Sequence, residues 1–286
     1  MSRPPRSLTV FTHARPEHTS GELRRVIALA REAGVEVRVP QAEVDKHRLE
    51  PAEGVVLRAD PDGDADLAVV LGGDGTILST LRLYAGRRVT VFAVNFGTIG
   101  FLATVEPSEL DDGMRMALAG ELDVLELPGL IAATSNGDEL AMNDISFHRR
   151  HTGRVAELAY SVQGEQLGEV RCDGLVVATP AGSTGYNLAN GGPVLAWGVE
   201  GYVVSFIAPH TLTARALVVA PGDVLAVTNR SREEDVDMTT DGRTVCVLSR
   251  EDTIEIRFER GCALLAQLPG ASFYHRLREK FGRLAY

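Results

Sequence analysis

Long apolar runs are missing from this chain. None approaches the roughly 18 residues that a membrane helix needs, and the stretch Leu8 to Thr12 is too short for the core of a secretory signal. Cysteine is scarce. Cys172, Cys246 and Cys262 form no CxxC pair, so neither a zinc knuckle nor a disulfide framework is indicated, and a reducing, cytoplasmic setting is expected. Positive charge is also in deficit. With 29 Lys and Arg against 39 Asp and Glu, the formal net charge is −10, which argues against nucleic acid as the main partner. A local basic pocket for a small polyphosphate stays compatible with that charge. Several catalytic signatures are absent as well. There is no G-x-x-x-x-G-K-S/T loop, and neither HRD nor DFG occurs. Gly73-x-Gly75 lacks the third glycine of a dinucleotide fingerprint because Leu78 stands there, and Ala181 breaks a G-x-S-x-G elbow. His148-Arg149-Arg150-His151 has no third ligand nearby in sequence, so it reads as an exposed polar turn and no protein metal site is expected.

What is present is an ordinary globular balance, 44% apolar and 24% charged over 286 residues, enough for two domains. In residues 1–120 apolar strands alternate with amphipathic helices. Leu8 to Thr12, Val35 to Val39, Asp66 to Leu71 and Val89 to Val94 read as strands; Ser20 to Ala33, Thr76 to Tyr84 and Pro107 to Leu118 read as helices. This alternation predicts a Rossmann-like parallel sheet with helices on both faces. Residues 121–286 change character. Short β-branched segments at Leu140 to Phe147, Val155 to Val162, Gly174 to Ala178, Val203 to Ile207, Val224 to Thr228, Thr244 to Leu248 and Thr253 to Phe258 are separated by turn signals. They predict an antiparallel, β-rich second domain, closed by a basic amphipathic packing helix over Tyr274 to Tyr286.

The chemistry concentrates in Gly72-Gly73-Asp74-Gly75-Thr76, between a buried strand and a helix. Glycines there let a phosphate approach the bare backbone, and the helix start offers free N–H groups to an anion. An aspartate beside a phosphate needs another reason. It can accept the proton of an attacking hydroxyl, or hold that hydroxyl in line. The alternative is a tight turn in which Asp74 caps the following helix.

Together with GGDGT, five further segments resemble the NAD kinase family. They are Val94-Asn95-Phe96-Gly97-Thr98-Ile99-Gly100-Phe101-Leu102; Asn143-Asp144; the long stretch from Asp173 to Asn187, completed by Gly191-Gly192-Pro193; and the weaker Pro209-His210-Thr211-Leu212 and Asp241-Gly242. The likeness runs from about residue 67 to the end. GGDGT alone is shared with diacylglycerol kinases and phosphofructokinases; the long stretch and the order of all motifs are specific. The resemblance implies an α/β domain, a β-rich domain, and NAD in a cleft between them. It implies transfer of a phosphoryl group from ATP, another nucleoside triphosphate or polyphosphate to the 2′-hydroxyl of the adenosine ribose, with Mg²⁺ bridging the donor phosphates. Asp74 would be the base, with Gly72, Gly73, Gly75 and Thr76 forming the phosphate loop. Asn143 and Asp144 would hold ribose and adenine. Asp173, with Arg171 close by, would engage NAD from the nicotinamide side. Phe101 would pack near the adenine ring, and Thr184, Gly185, Tyr186, Asn187, Leu188 and Ala189 would line the remainder, partly across a subunit contact. A homodimer or homotetramer is implied, with no membrane or nucleic-acid partner.

This chain departs from the family pattern at Asp144 in place of Glu, Ala181 in place of a hydroxyl residue, Gly185 in place of Ala, Ala216 after Arg215 in place of Pro, and Arg243 in place of Gln. These bear on NAD against NADH and on the adenine pocket, and they do not touch Asp74. A lipid or sphingoid kinase of the same superfamily, or a dinucleotide sensor that has lost its chemistry, are the other functions weighed. The intact GGDGT counts against the sensor.

Overall fold

The computed structural model describes residues 3–282. The expected terminal helix therefore ends, with Leu284 and Tyr286, outside the described residues. The chain divides into two compact units, Met1–Glu126 with Ala263–Tyr286, and Leu127–Cys262. The sequence places everything after residue 120 in the second domain. The structure returns the last stretch to the first unit, because Leu264 and Leu265 pair in parallel with Thr90 and Val91.

The first unit holds a parallel sheet built from β1 (Ser7–Thr12), β2 (Glu36–Pro40), β3 (Val55–Ala59), β4 (Leu67–Gly72) and β5 (Thr90–Asn95). Its order is the 263–267 segment, β5, β4, β1, β2, β3. Every residue of β4 is buried, as its unbroken apolar run requires of a strand covered on both faces. Helix α1 (Ser20–Glu32) buries the stripe Leu23, Val26, Leu29 and Ala30. Short α2 (Gln41–His47) and β3 were not anticipated. Helix α3 (Asp74–Leu83) follows β4, and α4 (Leu110–Ala119) is preceded by a 3-10 turn at Pro107–Glu109. The chain moves outward from β1 through β2 and β3, then returns to β4 beside β1 and continues to β5. That reversal makes a switch point at the carboxyl ends of β1 and β4, where open α/β sheets bind ligands. The loop after β4 is Gly72-Gly73-Asp74.

The second unit is antiparallel. Its hairpin is β6 (Asp123–Thr134) and β7 (Gly137–Ala141), with Leu130 opposite Ala141. One sheet contains β9 (Ala156–Val162), β10 (Glu165–Cys172), β14 (Leu225–Asn229) and the start of β17 (Thr253–Gln267). The other runs β13 (Leu217–Val219), β12 (Tyr202–Ile207), β11 (Gly174–Ala178), β8 (Asp144–Arg149), β15 (Val236–Thr240), β16 (Arg243–Leu248). Ile145, Phe147, Leu158, Leu175, Tyr202 and Leu225 share one core between these sheets. The expected single strand Leu140 to Phe147 is two strands, broken at Met142-Asn143.

Candidate active site

In the first unit, two glycine-bearing loops lie against each other. The Phe96 amide donates to the Gly72 carbonyl at 2.9 Å. A Cβ on Gly97 would stand 2.7 Å from the Gly73 Cα, so this approach admits no side chain. Helix α3 begins at Asp74, two residues earlier than its hydrophobic spacing suggests. Its N-cap is the extended Gly73, and no side chain caps it. Asp74 is therefore not a capping residue. Its two carboxylate oxygens instead accept the backbone N–H groups of Phe101 (3.1 Å) and Leu102 (3.0 Å). A carboxylate has about four lone-pair positions, so two acceptor positions remain. The carboxylate lies at the positive end of α3, where the first-turn amides suit phosphate oxygens. Phe101 enters this site through its backbone alone. Its ring is buried, 5.7 Å from both Phe273 and Phe281 of the terminal helix (Phe273–Phe281), and is not an open stacking face.

In the second unit, Asn143 and Asp144 sit where β7 gives way to β8. Asp241 organises the turn. Its carboxylate accepts the amides of Met142 (3.0 Å), Asn143 (2.7 Å) and Asp144 (3.3 Å). The weak Asp241-Gly242 motif thus has a specific task. The Asn143 carbonyl accepts from the Thr179 amide at 2.9 Å, while its side-chain Oδ1 is buried without a hydrogen-bond partner. A buried acceptor left open in this way is costly unless a ligand satisfies it. The glycine after Ala181 matters here: a Cβ on Gly182 would lie 2.0 Å from the Asn143 carbonyl oxygen.

The Asp144 carboxyl is buried, and burial, then the charge of Asp241, pushes it up to about 7. Its usual value is 3.8, so folding favours the neutral form. The stabilisation is complete below about pH 4 and is lost as pH rises through about 7. We expect Asp144→Asn, which is neutral throughout, to melt higher than the parent at pH 8 and to lose that advantage toward pH 4. A melting series across that range measures it.

Asp173 lies at the opposite end of the same strand pair. Ala178 pairs with Asp144 and Gly174 with His148, so the two ends are about 14 Å apart. The cation on Asp173 is Arg149, through Nε at 2.7 Å and Nη2 at 3.3 Å. This hydrogen bond holds the Asp173 carboxyl below its usual range, and the positive charges of Arg149 and His210 add to the effect. Arg171, the cation expected there, instead pairs with Glu157 at 3.2 Å on the neighbouring strand. The His148 to His151 stretch is correspondingly not one exposed turn: His148 and Arg149 complete β8.

Between these ends runs the 182–189 segment. Tyr186 is exposed and its ring stacks on His148 at 5.7 Å. Burial raises its phenol pKa, and the charges of both Asp144 and Asp173 raise it further, which puts Tyr186 within range of both carboxylates. Thr184 is half-buried, and Gly185 and Ala189 are exposed beside it. Asn187 is different. It is fully buried, and its Nδ2 donates to the carbonyls of Ser183 and Pro193 at 2.9 Å, so it builds the loop from inside. On β8 the residues facing away from the core form a polar row, with His148 Nε2 and Ser146 Oγ 2.9 Å apart and Ser146 Oγ 2.7 Å from Thr239 Oγ1.

Residues 10–122 match the ATP-NAD kinase N-terminal domain, and residues 142–264 the ATP-NAD kinase C-terminal domain. The chain is 35% identical over 235 residues to an NAD kinase of Gemmatimonas aurantiaca, covering 79% of this chain and 80% of that one. It is 31% identical over 280 residues to an NAD kinase of Geobacter sulfurreducens, covering 96% and 98%. Among solved structures, an NAD kinase from Archaeoglobus fulgidus in complex with ATP superposes with a TM-score of 0.72 at 25% identity, covering 96% of this chain and 97% of that one. Yeast NADH kinase complexed with NADH gives 0.87 at 22% identity, covering 99% and 89%, a likeness of fold.

Proposed function

We propose roles for individual residues on one premise: this chain belongs to the NAD kinase family, and it phosphorylates NAD to NADP with ATP as donor. Asp74 is the general base. It takes the proton of the ribose 2′-hydroxyl as the bond from that oxygen to the γ-phosphorus forms and the bond to the β–γ bridging oxygen breaks, releasing ADP. The observation that carries this is the Asp74 carboxylate itself. Two amides hold it at the mouth of a helix, and acceptor positions remain free. Gly72, Gly73, Gly75 and Thr76 bring backbone and the α3 N-terminus to the donor phosphates.

Asn143, with its open Oδ1, takes a donor from the adenosine half of NAD. Asp144 serves the same half, and the Arg149–Asp173 pair serves the far end. Thr184 to Tyr186 cover the span between. We expect Asn143→Ala to raise the KM for NAD about 10-fold, the worth of one buried hydrogen bond, with the KM for ATP unchanged. An unchanged KM for NAD removes Asn143 from the site.

Mg²⁺ belongs to this reading. Among the described residues no three His, Cys, Asp or Glu side chains gather as ligands. When bound, Mg²⁺ would be held through the donor phosphates. It supplies charge neutralisation along the donor. A cytoplasmic setting is supported by three free thiols, Cys172 and Cys262 being buried. No helix among the described residues is long and apolar enough to cross a membrane. Assembly with further copies of the chain is supported by two exposed apolar side chains, Leu212 at 92% and Val218 at 49%, the latter on the edge strand β13.

A further inference from the structure

We infer that Arg276, on the terminal helix, is a positioning residue for phosphoryl transfer: it holds the Phe101–Ala103 backbone in the pose that presents two amides to Asp74. The inference rests on the reading of Asp74 as base. Arg276 Nη1 donates to the carbonyl of Phe101 at 2.8 Å and to that of Ala103, and Nη2 donates to Gln267 Oε1 at 3.2 Å. The same Phe101 residue therefore gives its N–H to Asp74 on one side and its C=O to Arg276 on the other. The rest of the helix grips this segment too. Phe273 and Phe281 enclose the Phe101 ring, and Lys280 Nζ reaches Glu106 at 2.6 Å. Glu106 in turn accepts from Asn95, whose Oδ1 takes the Gly97 amide at 3.0 Å. A loop rich in glycine has little stiffness of its own, and the terminal helix supplies it.

Among the described residues, the charges facing Arg276 include Asp74 from α3, Glu106 from the turn before α4, and Glu279 from its own helix; Gln267 is neutral. Burial pushes the guanidinium below its usual value, and Asp74 is first among the carboxylates that oppose this. Arg276 thus offers two separable things, a planar fork for two carbonyls and a cation near the base. Lysine keeps the second and loses the first.

The experiment is steady-state kinetics and amide hydrogen exchange on the full chain for Arg276→Lys, Arg276→Gln and Asp74→Asn, with a melting temperature for each. Arg276→Lys should lower kcat about 10- to 100-fold, the usual cost of a small misplacement, with both KM values within about 3-fold. Arg276→Gln should lower kcat further, because it loses the fork and the charge together. Hydrogen exchange at the Phe101 and Leu102 amides should speed up in both variants. Wild-type kcat in both variants overturns the inference, as does a loss that merely follows the folded fraction with unchanged exchange at the Phe101 and Leu102 amides. If Asp74→Asn keeps full turnover, the base reading fails by itself, and the exchange rates still report whether Arg276 holds the segment.

Discussion

Asp74→Asn is expected to lower kcat by about 10² to 10⁴-fold, the typical contribution of a positioned general base, while NAD binding by calorimetry changes by less than about 3-fold. The substitution nearly preserves volume but alters two things. An amide cannot take a proton at neutral pH, which removes the base. It also has one oxygen where the carboxylate has two, and the wild-type side chain uses both, on Phe101 and Leu102. One of those amides would then face an NH₂ donor, and the segment would relax. Asp74→Glu separates the two effects. It keeps both acceptors and the charge but moves them by one methylene, and it should recover part of the lost turnover. Full turnover in Asp74→Asn would remove Asp74 as base and leave it a structural anchor for the Gly100-Phe101-Leu102 turn.

Gly182→Ala is expected to be the most damaging small substitution in the second unit. The added Cβ would stand 2.0 Å from the Asn143 carbonyl oxygen, 2.4 Å from its carbon and 2.7 Å from its Cα. All three are backbone atoms, so no rotamer change relieves the contact. Either Asn143 or the 179–185 loop must move. The loop is tied down: Thr179 Oγ1 donates to Met142 O at 2.8 Å and accepts from the Gly182 amide at 3.0 Å. Overpacking of this kind costs about 3 kcal/mol. It also displaces Asn143, so the KM for NAD should rise at least as much as in Asn143→Ala. Denaturation together with NAD titration tests this. A variant of parental stability and parental KM would mean that the loop has slack the contacts do not indicate.

The parallel sheet and its loop were legible because their signals are local. Leu67 to Leu71 is an unbroken apolar run, and glycines end it. The boundaries of α3 were not, since Asp74 lacks hydrophobic spacing and enters the helix through Gly73 as cap. Short α2 escaped because its stability comes from elsewhere in the fold. Glu43 is buried and accepts from Thr12 Oγ1 at 2.6 Å, and the His47 ring lies between Thr12 and Ser20. No periodicity encodes such contacts. The pairing of Arg149 with Asp173 spans 24 residues, that of Asp241 with the Asn143 amide 98, and that of Arg276 with Phe101 175. In a single sequence these partners are merely polar residues. The resemblance put Arg171 close to Asp173, but Asp173 stands at the break between β10, which ends at Cys172, and β11, which begins at Gly174, and Arg171 lies along Glu157 instead. The resemblance singled out Phe101 for its ring near adenine; in the structure its amide meets Asp74, while the ring packs against the terminal helix, a long-range contact no local pattern encodes.

The most direct measurement is a crystal structure of the Asp74→Asn variant with NAD and a non-hydrolysable ATP analogue. The ribose 2′-oxygen should lie about 2.6–3.2 Å from the side-chain oxygen or nitrogen of residue 74, with the γ-phosphate at the α3 N-terminus in line behind it. A complex with both ligands ordered and that hydroxyl directed at another residue would contradict the account.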